Sequence, residues 1–139
     1  MNEFIFDELK IGEEATFGAE ITEEMMGNFF AISGDSNPLH LEQEYAHKFG
    51  FKGRVVYGLL TSSFYSTLVG VYLPGKYALL QGIKKINFLK PVFIGDQLRI
   101  SGQISHVNEA YKVVEIKARI INQKEEVVSD AIISVGLLA

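Results

Sequence analysis

The stretch GLLTSSFYSTLVGVYL, Gly58–Leu73, contains no charged residue. It reads as the one long helix in the middle of the chain, and a helix that is apolar nearly all round must be wrapped by other elements on several sides. Its polar side chains are ordered: Ser62, Ser63 and Ser66 fall on one side at helical spacing, and Gly70 continues the row. Small residues in such a row either let a sheet or a partner helix approach closely or line a cavity. Spacing alone leaves both readings open.

Outward from this helix the pattern changes to strands. Tyr77–Leu89 is rich in β-formers, Pro91 and Gly95-Asp96 mark a turn, and Gln97–Val107 places Leu98, Ile100, Gly102 and Ile104 on one face. Turns at Asn108-Glu109 and Asn122-Gln123-Lys124 set off two further strands, Tyr111–Ile121 and Glu126–Leu137. Before the helix, Glu14–Ile21 reads as a strand. Thr22-Glu23-Glu24 then supplies a hydroxyl N-cap and first-turn carboxylates for a helix expected to bury Met25, Phe29, Phe30 and Ile32 and to stop before Gly34. Glu42–Phe49 reads as a short helix, with a loop over Gly50–Arg54. One strand, a helical interlude and a meander of four strands predict an α+β fold in which an antiparallel sheet curls around the central helix.

A chain of 139 residues is expected to form one domain, 1–139, and 47% hydrophobic against 22% charged residues is a globular composition. The mean hydropathy of +0.15 suits a buried subunit interface as well as a core. The net charge is −4, and the 13 Lys and Arg are scattered apart from Lys84-Lys85, so nucleic acid is not an expected partner. The absence of cysteine rules out thiolate ligands, disulfides and a cysteine nucleophile, and fits a cytoplasmic location. Met1–Lys10 is acidic and resembles no targeting signal, and the apolar run of Val55–Leu73 is too polar to span a bilayer, so a soluble protein is expected.

Dinucleotide, phosphate-loop and nucleophile-elbow patterns are missing. His40, Glu44 and His47 would share a helical face, but their spacing fits no zinc motif, and no metal is expected. That leaves SGDSNPLH, Ser33–His40. In one reading Asp35 and Asn37 cap a turn through backbone amides and His40 is a partly buried ring with its bonds satisfied. In the other, Gly34 lets the chain leave the helix, Pro38 directs the exit, and Asp35 and His40 together hold a water, take a proton from it and return one to carbon near neutral pH.

SGDSNPLH resembles the G-D-x-N-P-[LIV]-H signature of the MaoC-like (R)-specific enoyl-CoA hydratases. Two further stretches are similar to the same family in the same order: GRVVYGLLTSSFYSTLVGVYLPG to its buried helix, and INFLKPVFIGDQL to its F-x-x-P-V-x-x-G-D strand and turn. The resemblance implies a hot-dog fold, commonly a homodimer, and reversible syn hydration of a trans-2-enoyl thioester to the (R)-3-hydroxyacyl thioester. It implies Asp35 and His40 as the catalytic pair, Asn37 as loop support, the Gly58 backbone N–H as donor to the thioester carbonyl, and Ser66 as a lining residue. Ser62, Ser63 and Val69 are then candidates for the acyl pocket, and no cofactor is needed beyond coenzyme A or acyl carrier protein as the substrate's carrier. A helix start is suited to the carbonyl, because its free amides and positive dipole end meet enolate-like charge.

One departure is visible. The family usually has His-Gly at the helix start, and this chain has Tyr57-Gly58, a larger phenol expected to reshape the thioester end of the site. A hot-dog thioesterase is the first alternative, but those enzymes commonly carry a carboxylate at or on the central helix, and Gly58–Leu73 has none. A non-catalytic acyl-thioester-binding domain is the second.

Overall fold

The computed structural model describes residues 1–139. After a short 3-10 turn at Phe6–Glu8 come strand β1 (Glu14–Glu20), helices α1 (Glu23–Ser33), α2 (Pro38–Leu41), α3 (Gln43–Lys48) and α4 (Gly58–Thr67), and strands β2 (Ala78–Phe88), β3 (Gln97–Asn108), β4 (Val113–Ile121) and β5 (Val127–Leu137). Each strand lies within a residue or two of the bounds that the sequence predicts. All five strands form one antiparallel sheet in the order β1-β3-β4-β5-β2. The last three strands are a true meander, but β2 is not part of it: it pairs with β5 across Ala78↔Leu137 to Phe88↔Ser129 and occupies an edge. Adjacency in sequence therefore misplaces β2, which follows α4 and enters the sheet on the far side from β3.

The sheet curls around α4 in the hot-dog arrangement. Leu98, Ile100 and Ile104 of β3, Val114, Ile116 and Ile120 of β4 and Val128, Ile133 and Val135 of β5 all point inward to meet Leu60, Tyr65, Leu68 and Val69. The approach is closest at Gly102, where a Cβ would lie 2.7 Å from Leu68 Cδ2 and 2.9 Å from Ile116 Cγ2. A side chain at position 102 would fit only if Leu68 and Ile116 gave way.

Three expectations are corrected here. The central helix keeps α geometry only to Thr67 and continues as one wide π-type turn, Leu68–Tyr72. It is not wrapped all round: Leu59 is 65% exposed, and Ser63 and Ser66 lie on the same open side. In α1 the fully buried residue is Met26, with Met25 and Phe29 partly buried, whereas Phe30 and Ile32 are exposed. This helix has a neighbour on one side only, through Phe29 packed on Tyr57 at 4.7 Å between ring centroids.

Within the core, the Tyr65 hydroxyl donates to Ser129 Oγ at 2.9 Å. Burial pushes this phenol up to about 12. Its folded-state pKa exceeds the unfolded value near 10, so the stability it contributes is complete below pH ~10 and is lost as pH rises from there toward 12. Chemical denaturation at pH 8 and pH 11 should therefore show a steeper loss in the native protein than in Tyr65→Phe.

Candidate active site

Thr22 caps α1 by accepting from the Met25 amide, and the helix ends at Gly34, whose φ of +67° is a left-handed conformation that glycine adopts without strain. From there the chain is held by a relay of short-range bonds. Ser33 Oγ accepts from the Asp35 N–H at 3.2 Å, Asp35 Oδ1 from the Asn37 N–H at 3.1 Å, and Asn37 Oδ1 from the Leu39 N–H at 3.0 Å. Asn37 is thus the N-cap of α2, a four-residue helix that the sequence did not reveal, with Pro38 in its first turn. The capping of Asp35 leaves its second oxygen free of protein partners, so turn support and chemistry are compatible roles for one carboxylate.

His40 sits in the last turn of α2, half-buried. Its Nδ1 lies 2.7 Å from the Val55 carbonyl oxygen, and a carbonyl can only accept, so Nδ1 carries the proton. In the neutral ring Nε2 is then the free acceptor, the form a general base requires. Arg54 fixes the same turn from outside by donating from Nε to the His40 carbonyl at 2.9 Å and pairing with Glu23 of α1 at 2.7 Å.

Tyr57 does not reshape the mouth of the site. It is 1% exposed and points inward: its hydroxyl donates to the Asp35 carbonyl oxygen at 2.9 Å, and its ring lies 4.2 Å from the His40 ring. Burial, with the Asp35 carboxylate nearby, raises this phenol's pKa, so it remains a donor at neutral pH. Tyr57→Phe deletes only the bond to Asp35 and should cost about 1 kcal/mol of stability, read by urea denaturation.

As N-cap of α4, Tyr57 offers no side-chain acceptor, and the first intrahelical amide bond is Thr61 N–H to Tyr57 carbonyl. The amides before it point out of the helix. Of the residues that carry them, Gly58 lines a cleft of about 410 Å³, whose walls also include His40, Val56, Thr61, Phe88 and Val128. Phe88 lies over Gly58, so that a Cβ at position 58 would be 3.1 Å from its ring. His40 and Gly58 therefore meet on one mostly apolar cleft, with Asp35 tied beside them through Tyr57.

The remaining candidates lie elsewhere. Ser62 and Ser63 bond back to the Leu59 and Leu60 carbonyls at 3.1 and 2.6 Å, Ser66 is on the open side of α4, and Val69 is packed in the core. None of these four lines the cleft of this chain; its walls come instead from Thr61, Phe88 and Val128, which sequence spacing did not single out. His47 Nε2 lies 3.1 Å from the Lys52 carbonyl, a loop tie, and no group of three or more His, Asp or Glu is gathered as a metal site would need.

The chain has similar sequences and structures among known proteins. Residues 8–126 match the family model described as MaoC like domain. The chain is 31% identical over 115 residues to the (R)-specific enoyl-CoA hydratase of Aeromonas caviae, covering 83% of this chain and 85% of that protein. It is 33% identical over 90 residues to a mitochondrial 3-hydroxyacyl-[acyl-carrier-protein] dehydratase of Arabidopsis thaliana, covering 65% of this chain and 52% of that protein. Among solved structures, the unliganded R-hydratase from Pseudomonas aeruginosa superposes with a TM-score of 0.90 at 29% identity, over 97% of this chain and 86% of that one.

Proposed function

The chain belongs to the MaoC-like domain family, and from that premise we propose that it is an (R)-specific enoyl-CoA hydratase, a hydro-lyase adding water reversibly across a trans-2-enoyl thioester. The observation that carries the reading is the convergence on one cleft of a His40 ring with its Nε2 free and the uncapped start of α4 at Gly58, with Asp35 bonded alongside. Asp35 and His40 hold the water between them. As its oxygen bonds to C3, the pair takes one proton from it and delivers one to C2 on the same face, which gives syn addition. Charge passes through the thioester oxygen as an enolate, and the Gly58 amide receives it without reorganising. The Val55 carbonyl steadies the imidazole while it holds the extra proton.

No cofactor enters this scheme; coenzyme A or acyl carrier protein is the carrier of the substrate. The test is loss of enoyl absorbance from crotonyl-CoA, with the product coupled to an (R)-specific and then an (S)-specific dehydrogenase. Only (R) product is expected, and release of free thiol without hydration would replace this reading by a thioesterase.

Homodimerisation in the cytoplasm is part of the same proposal. Edge strand β2 exposes Leu79, Leu80, Ile83 and Phe88, and Leu59 of α4 is bare as well. An unpaired apolar edge of this kind invites pairing with a second copy. Sedimentation should give a dimer for the native chain, and Ile83→Lys should shift it toward monomer.

A further inference from the structure

Thr61 Oγ1 is buried with no hydrogen-bond partner, the one side-chain polar atom of the chain in that state. Leaving a buried hydroxyl unpaired is destabilising, because it gives up its bonds to water and gains none in return. The cost is avoidable: Ser62 and Ser63, the next residues of α4, turn their hydroxyls onto carbonyls of the preceding turn. Valine would fill the same volume with no unpaired group. Thr61 is 2% exposed, yet it forms part of the wall of the cleft that also holds Gly58 and His40.

Its place on the helix gives the hydroxyl an address. Residues three apart lie on one helix face, and helical side chains lean toward the N-terminus. Thr61 is therefore stacked behind Gly58 and leans over the first turn, where Gly58 has no side chain to stand in the way. That spot lies under the Phe88 ring, whose nearest atom would be 3.1 Å from a Cβ at position 58.

We propose that the Thr61 hydroxyl is a second donor to the thioester carbonyl oxygen, beside the Gly58 amide. This rests on the reading of the cleft as an acyl-thioester site. In the ground state the hydroxyl bonds a neutral carbonyl; as water adds at C3 the same oxygen becomes enolate-like, and the bond strengthens in a cleft with few competing donors. The role accounts for an unpaired group kept at a cost to stability.

Thr61→Val and Thr61→Ser separate this role from packing. In Thr61→Val, kcat for crotonyl-CoA should fall about a hundredfold, the lower end for loss of one oxyanion donor, while the melting temperature holds or rises. Thr61→Ser should restore most of the rate. Independently of turnover, the carbonyl stretch of bound [1-13C]butyryl-CoA, which cannot be hydrated, should lie lower in frequency in the native protein than in Thr61→Val. A kcat within threefold of native, or an identical stretch, overturns the proposal. A native protein that binds butyryl-CoA but hydrates no enoyl thioester removes the hydratase reading and leaves the stretch to judge Thr61; failure to bind the thioester removes both.

Discussion

Asp35→Asn and His40→Ala should each lower the rate of crotonyl-CoA hydration by about 10²- to 10⁴-fold, the range that a positioned acid or base contributes, and the double variant should fall little further. The near-absence of additivity follows from the proposed mechanism, in which both groups would act on one water. Asp35→Asn is the cleaner variant. Its amide oxygen can still accept from the Asn37 N–H, so the loop keeps its shape while the group loses its basicity. His40→Ala also deletes the bond to Val55, and the Arg54 bond to the His40 carbonyl, a backbone contact, survives. Steady-state kinetics with circular dichroism on the same samples decides the matter. A variant that keeps more than a tenth of native kcat shows that its residue is not part of the proton path.

Leu68→Ala should produce the largest loss of stability, about 3–5 kcal/mol, the upper part of the range for removing a buried leucine. Leu68 is 0% exposed, at the start of the wide turn that continues α4, with its Cδ2 over Gly102 of β3. Its methyl fills the space left by Gly102, and β-sheet backbone cannot sink to fill the gap, so the cavity persists. Urea denaturation should show a lower midpoint with an unchanged slope. A cost below 1.5 kcal/mol would mean that the helix settles onto β3 when the leucine is shortened.

The parts of this fold visible in the sequence are those set by short-range pattern. Alternation placed Leu98, Ile100, Gly102 and Ile104 inward because β3 is covered on one face only. The Asp35–His40 loop was legible because Gly34, Asn37 and Pro38 each dictate a local backbone state. What pattern could not supply was the partner of each element. The edge position of β2 depends on pairing with β5, some fifty residues along the chain. Phe30 and Ile32 continue an apolar helix but stay exposed at 40% and 84%, so hydrophobicity alone is a poor guide to their burial. Sequence leads one to expect that Tyr57 reshapes the thioester end of the site, because its size is evident there and its direction is not. Thr61 drew no notice among the serines, since an unpaired hydroxyl is recognised only once its surroundings are known.

The Tyr57 bond has a mechanical consequence. Tyr57 immediately precedes Gly58 on the chain, and its side chain grips the Asp35 carbonyl while its ring lies against His40. The loop proposed to move protons and the amide proposed to receive charge are thus joined by one strut, which runs on into α4. A single side chain thereby sets the spacing between the loop and the helix start. Unfastening the strut should blur that spacing before it loosens the fold, and wear would show first in the fidelity of proton delivery to one face of the substrate.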